Sequence, residues 1–91
     1  MKTFEFTIVL EGVSEVTETT ANALFGAGCD DGTFASRDGQ AVVQFDREAE
    51  SLSAAVELAI TQVESIGLAV ARVESEEFAT IHRFNEQLAQ A

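Results

Sequence analysis

Four side chains in this sequence could take part in chemistry. Asp30 and Asp31 are adjacent carboxylates, Cys29 directly precedes them, and His82 lies far along the chain as the single histidine. Paired carboxylates can bind a hard cation, but calcium takes six or more oxygen ligands at a defined loop spacing that is absent here. A cysteine nucleophile requires a nearby base, and a structural zinc site requires four ligands. The sequence therefore predicts no catalytic residue, no cofactor site and no metal site.

The two aspartates have two interpretations. Aspartate side chains accept hydrogen bonds from nearby backbone amides, so Asp30 and Asp31 could simply form and cap a turn. Alternatively, the two aspartates form an exposed acidic turn that faces a partner. For Cys29 we expect a buried position, because a free cysteine behaves as a small hydrophobic residue.

These residues lie at a hinge in the chain. Gly26, Gly28 and Gly32 fall close together, and the sequence contains no proline that could break the chain instead. Gly28 follows an apolar-periodic run and suits the left-handed conformation that ends many helices. The hinge therefore separates a strand and a helix from the elements that follow.

Hydrophobic periodicity defines the elements around the hinge. Apolar residues alternate along residues 3–10 and recur every three to four positions along residues 51–66, which predicts a strand and an amphipathic helix. Asp38-Gly39 lies between two short β-like runs and predicts a hairpin with a type I′ turn. The full prediction is strand 3–10, helix 17–27, strands 33–37 and 41–46, helix 51–66, strand 68–73 and helix 76–89.

The order β-α-β-β-α-β predicts an α+β fold of the ferredoxin-like type. A four-stranded antiparallel sheet would carry two helices on one face, with residues 1–74 forming this unit and residues 75–91 an extra C-terminal helix of the same domain. We expect the other sheet face to present apolar residues that the two helices leave uncovered. These are Val9, Val42 and the alternating set Ala69, Ala71 and Val73.

The C-terminal helix carries an apolar stripe that needs a packing partner. Phe78, Ile81, Phe84 and Leu88 recur at helical spacing. The stripe could pack on its own sheet or on another chain, and the sequence leaves both open. Together with Asp30 and Asp31, these four residues form the predicted interaction site.

Charge limits the classes of partner. Sixteen acidic residues face five basic ones, which gives a formal net charge of −11 at pH 7. Such a chain repels nucleic acid and anionic membranes, so we expect neither as a direct partner. No apolar run reaches the roughly 20 residues that span a bilayer. With a single cysteine and no signal-peptide pattern, the sequence predicts a cytoplasmic protein.

Several short segments resemble a family of small bacterial proteins. They are Phe4–Leu10, Ala-Gly-Cys-Asp-Asp at 27–31, Phe-Asp-Arg-Glu-Ala at 45–49 and Gly67–Glu74, so that the likeness covers roughly residues 3–74. Longer members of that family join this unit to a helix-turn-helix segment. Here residues 78–86 stand where the first such helix would begin, and no recognition helix follows. The resemblance implies an association with bacterial regulators without DNA binding by this chain.

These observations predict a non-enzymatic module for protein interaction and dimerisation, and we expect the protein to form a homodimer. A second interpretation is an acidic inhibitor that masks a basic protein in the manner of a DNA mimic. A third is a small-molecule-binding domain, which would require a deep pocket lined by Cys29, Asp30, Asp31 or His82.

Overall fold

The fold is described by a computed structural model that covers residues 2–75 and 78–90. Four strands and three helices follow one another in the predicted order. Their bounds are β1 Lys2–Glu11, α1 Glu18–Gly26, β2 Gly32–Arg37, β3 Gln40–Ala49, α2 Leu52–Glu64, β4 Ala69–Glu74 and α3 Phe78–Gln90.

All four strands form one antiparallel sheet in the order β2-β3-β1-β4. The long central strands pair from Lys2 opposite Ala49 to Val9 opposite Val42. This arrangement confirms the predicted βαββαβ fold with an additional C-terminal helix. Strands β2 and β4 are therefore the two edges of the sheet.

Local sequence signals explain where the helices begin. The Thr17 hydroxyl accepts a hydrogen bond from the Thr20 amide at 3.2 Å, and the Ser51 hydroxyl accepts one from the Ala54 amide at 3.1 Å. Each bond satisfies an amide that has no partner within its helix. Serine and threonine are among the residues preferred at this position.

The hairpin between β2 and β3 has the predicted turn. Asp38 and Gly39 have φ angles of 52° and 78°, the positive values that a type I′ turn requires at both central residues. Strand β3 continues past the predicted end at residue 46 to Ala49. The sequence did not predict this extension, because the charged residues from Asp46 to Glu48 interrupt the alternation of apolar residues.

The main core lies between the helices and one face of the sheet. It is built from alternate strand residues, from Leu24 of α1 and from the inward stripe of α2. Its largest fully buried side chains include Phe45, Ile8, Leu10, Leu24, Val43, Val56 and Val63. The rings of Phe6 and Phe45, opposite each other on β1 and β3, stack with centroids 5.1 Å apart.

A bulge in β4 changes which residues face the core. Val9 pairs with Arg72 but Leu10 pairs with Val70, so Ala71 is an extra residue on β4. The extra residue places both Val70 and Val73 in the core, where they are 5% and 1% exposed. The expected alternating set Ala69, Ala71 and Val73 is therefore wrong.

Helix α3 packs on its own chain. Ile81 is buried in the core cluster, and Phe84 and Leu88 are partly buried against it. The Asn85 side chain bonds both backbone groups of Val73, accepting from its N–H at 2.7 Å and donating to its C=O at 2.9 Å. Predicted helix residues 76 and 77 and the side chain of Phe78 lie outside the described part of the structure.

Candidate functional site

Asp31 is held by a buried cation from β3. Its carboxylate accepts two hydrogen bonds from Arg47, at 2.7 Å from Nε and 2.8 Å from Nη2. The Arg47 side chain is only 7% exposed, whereas that of Asp31 is 30% exposed. These hydrogen bonds hold the pKa of Asp31 below its usual value. Asp31 therefore fastens the hinge to the sheet.

Arg47 joins the hinge to strand β3. Besides Asp31, its Nη2 donates to the Gly28 carbonyl at 3.2 Å, and its guanidinium lies 4.8 Å from the centroid of the Phe45 ring. The remaining nitrogen, Nη1, is buried and has no hydrogen-bond partner among the described residues. The ring face of Phe45 stabilises a cation that is removed from water. Sequence analysis missed this role, because nothing at position 47 marks the arginine as buried.

Cys29 occupies the core as expected. Its sulfur lies 3.9 Å from Gln62 Oε1, and the residue is fully buried. Burial raises the pKa of the thiol, and the neighbouring Arg47 guanidinium offsets part of that effect. A thiol without solvent access and with a raised pKa is a poor nucleophile.

His82 lies apart from Cys29. It is exposed on α3, where its Nε2 is 2.6 Å from Glu86 Oε1 one turn later. His82 lines a small depression of about 230 Å³ beside β4, together with Val73 and Asn85. The structure therefore does not bring the single histidine and the single cysteine to one site.

The predicted stripe on α3 also lines a groove between α2 and α3. This groove encloses about 500 Å³, with Ile60, Phe84 and Leu88 as apolar walls. Glu57 and Glu64 lie on its α2 side. Because Ile81 is buried inside its own chain, only part of the stripe remains accessible to a partner.

The sheet face away from the helices, here called the outer face, has an ionic half. Arg37 on β2 and Arg72 on β4 both pair with Glu74, at 2.6 and 3.2 Å. Val9 and Val42 lie opposite each other on this face, between the two arginine-bearing strands, and they are 0% and 5% exposed. The expected apolar surface at Val9 and Val42 is therefore not accessible.

The other half of the outer face is acidic. Glu5 on β1 stands directly opposite Asp46 on β3, and Glu48 is opposite Thr3 in the next row of the same face. All three carboxylates are exposed, and no described lysine or arginine forms an ion pair with them. We call Glu5, Asp46 and Glu48 the acidic sheet surface. Finding it required the strand register, which the sequence did not reveal.

Asp30 extends the acidic sheet surface around the edge of the fold. It shares a shallow depression of about 490 Å³ with Asp46 and Glu48, next to the Asp31–Arg47 pair. Leu58 on α2 also lines this depression and is 52% exposed. The arrangement offers carboxylates beside an apolar side chain, a combination that suits lysine or arginine with their aliphatic stems.

Two further features are absent from the described residues. Across residues 2–75 and 78–90, no group of three or more His, Cys, Asp or Glu side chains has a geometry that could hold a metal ion. In the same part of the chain, no helix has the length and apolar character needed to cross a membrane.

Comparison of the chain with protein-family models, with curated proteins and with solved structures finds no match. The resemblance of residues 3–74 to a family of small bacterial proteins, whose longer members carry a helix-turn-helix segment, therefore stays a prediction.

Proposed function

We propose that this protein is a non-enzymatic interaction module that binds a basic segment of a partner protein through the acidic sheet surface and Asp30. The observation that carries the proposal is the direct cross-strand pair of Glu5 and Asp46. Like charges directly opposite each other destabilise a sheet. Cationic side chains of a partner would relieve that repulsion. Because the repulsion is present in the free protein, its relief would make the free energy of binding more favourable.

The distribution of cations supports the same partner chemistry. Of the five basic residues, Arg47 is used inside the fold, and Arg37 and Arg72 are engaged by Glu74. Little positive charge therefore remains to neutralise the carboxylates of the acidic sheet surface. The negative electrostatic field of these carboxylates attracts a basic partner over a distance and makes association sensitive to salt.

A charge-matched pair of variants tests the proposal. The sheet variant carries Glu5→Gln, Asp46→Asn and Glu48→Gln, and the control carries Glu18→Gln, Glu57→Gln and Glu64→Gln on the helices. Each triple substitution changes the formal net charge from −11 to −8, so the two differ only in where the charge is removed.

Binding of an oligolysine peptide is measured by titration calorimetry at low and high salt. We expect the wild type and the helix control to bind with similar affinity, and the sheet variant to lose about tenfold or more. Equal losses in the two triple variants would mean that only bulk charge matters and would contradict the proposal, as would an affinity of the wild type that is insensitive to salt.

A further inference from the structure

The two edges of the sheet differ in how their outward-facing backbone groups are hydrogen-bonded. On β4, the Asn85 amide bonds the outward-facing N–H and C=O of Val73, so a side chain stands where another strand could pair. Among the described residues, no other strand pairs with the outer edge of β2, and only its first residue is engaged, through the bond from the Gly32 N–H to the Cys29 carbonyl. One edge is therefore closed from within the chain and the other is open.

The hairpin geometry shows which groups the open edge presents. In a two-residue hairpin the residues that flank the turn, Arg37 and Gln40, form a hydrogen-bonded pair. Alternation along β2 then directs the backbone groups of Phe34 and Ser36 away from β3. Among the described residues, no backbone group pairs with them. They are available to a further strand.

This edge also lacks the usual protection against pairing. Edge strands are generally blunted by charged residues, proline or a bulge. Residues 32–36 contain neither a charged residue nor a proline, Arg37 at the end of β2 is engaged by Glu74 on the outer face, and the β2–β3 register runs without a shift. In a chain with a net charge of −11, an uncharged open edge is the place where two copies can approach with least repulsion.

An exposed aromatic ring flanks the same edge. Phe25 on α1 is 64% exposed, whereas Leu24, its neighbour, faces the core. Strand β2 is parallel to β1, and connections of this kind are right-handed, so α1 lies towards the β2 side of the sheet. Each residue of an α-helix is rotated by about 100° from the one before it. Because Leu24 faces the core, this rotation directs the Phe25 ring over the open edge rather than towards α2.

A notch at the opposite end of the edge matches this ring. It encloses about 150 Å³ and is lined by Val16, Phe34 and Ser36 among others. Phe25 lies near the start of β2, because the chain turns through Cys29 into Gly32 directly after α1. The notch lies near the end of β2. A two-fold axis through the middle of β2 therefore brings each Phe25 next to the notch of the other copy.

We infer that two copies of this chain pair through antiparallel β2 strands and form a continuous eight-stranded sheet. Phe34 pairs with its own counterpart, the Ser36 N–H of each copy donates to the Gly32 carbonyl of the other, and Phe25 of each copy packs into the notch of the other. The same two-fold axis places the two acidic sheet surfaces at opposite ends of the assembly. The dimer does not depend on the function proposed above.

Two matched pairs of variants test this dimer. Ser36→Pro removes the outward N–H without breaking a β2–β3 bond, and Ser36→Ala is its control, since both lose the hydroxyl bond to the Ser14 carbonyl. Phe25→Gln removes the exposed ring, and Leu58→Gln is its control on another surface. Sedimentation equilibrium over a range of concentrations gives the mass, and circular dichroism checks the fold of each variant.

We expect the wild type to approach twice its 9.7 kDa chain mass. Ser36→Pro and Phe25→Gln should raise the dissociation constant by about tenfold or more, with both controls close to wild type. Higher salt should strengthen the dimer, because it screens repulsion between two acidic chains, whereas it weakens binding of a basic partner. A wild type that stays monomeric, or a dimer that Phe25→Gln leaves unchanged, would overturn the inference.

Discussion

Arg37 and Glu74 stand on the two opposite edge strands of the sheet, yet Arg37 Nη2 lies 2.6 Å from Glu74 Oε1. The contact spans the outer face over two intervening strands. Arg72, two residues from Glu74 on β4, binds the same carboxylate at 3.2 Å. Val9 and Val42, which lie on the same face, are 0% and 5% exposed.

Substitution Glu74→Gln tests the strength of this contact. The pKa of Glu74 is lowered, chiefly by the hydrogen bond from Arg37, so its contribution is present above its ordinary pKa and is lost as the pH falls through the lowered value. Because all three side chains are between 37% and 48% exposed, we expect a loss of about 1 kcal/mol or less. Urea unfolding at neutral pH should show this loss at low salt and a smaller one at high salt, with Glu57→Gln as the control.

Asp31→Asn should be more costly, because it leaves a buried arginine without its counter-ion. We expect the free energy of unfolding to fall by about 1–2 kcal/mol at neutral pH. Asp30→Asn, on the exposed neighbour, should change it by less than about 0.5 kcal/mol. Equal effects of the two substitutions in urea unfolding would contradict the structural role of the Asp31–Arg47 pair.

The same pair predicts a pH dependence. The folded-state pKa of Asp31 lies below its ordinary value of 3.8, so the stabilisation is complete well above that value and is lost as the pH falls through the lowered one. The difference in unfolding free energy between wild type and Asp31→Asn should therefore be constant near neutral pH and shrink on acidification. A difference that grows on acidification would have the wrong sign.

The fold was predictable because its signals are local. The glycines of the hinge, the Asp38-Gly39 turn and the apolar spacing of α2 each act over a few residues, and together they determine the order of the elements. Contacts between distant residues were not predictable in this way. The extra residue at Ala71 and the burial of Arg47 depend on strand register and on tertiary contacts, which leave no local pattern in the sequence.

Asn85→Ala should loosen the closed edge of the sheet. The substitution leaves the N–H and C=O of Val73 without their side-chain partner, and we expect a loss of about 1–2 kcal/mol. Hydrogen exchange of the Val73 amide should accelerate by more than that of amides in β3. Gln87→Ala, at an exposed position of the same helix, is the control and should leave the Val73 amide protected.

Two glycines of the hinge should respond in opposite directions to the same change. Gly28 has a φ of 106° and its backbone lies against the Gln62 side chain, so Gly28→Ala should destabilise the protein by at least about 1 kcal/mol. Gly26 ends α1 with open space around it, and Gly26→Ala should stabilise by about 0.5–1 kcal/mol. Thermal unfolding of both variants measures this, and a shift of the same sign in both would contradict it.

The site was harder to predict than the fold. Asp30 and Asp31 were identified together, but the structure separates them into an exposed acid and the partner of a buried arginine. Glu5, Asp46 and Glu48 are far apart in the chain, and only antiparallel pairing of β1 with β3 brings them onto one surface. A search for charge clusters along the sequence cannot detect acids that a sheet brings together.

The single buried thiol makes opening of the hinge measurable by chemical labelling. Cys29 is fully buried and has a raised pKa, so an alkylating reagent can modify it only when the chain opens around the hinge. No second cysteine complicates the signal. When the chain recloses faster than the reagent reacts, the rate of labelling under native conditions reports the fraction of molecules in which the hinge is open, without any probe being engineered into the chain.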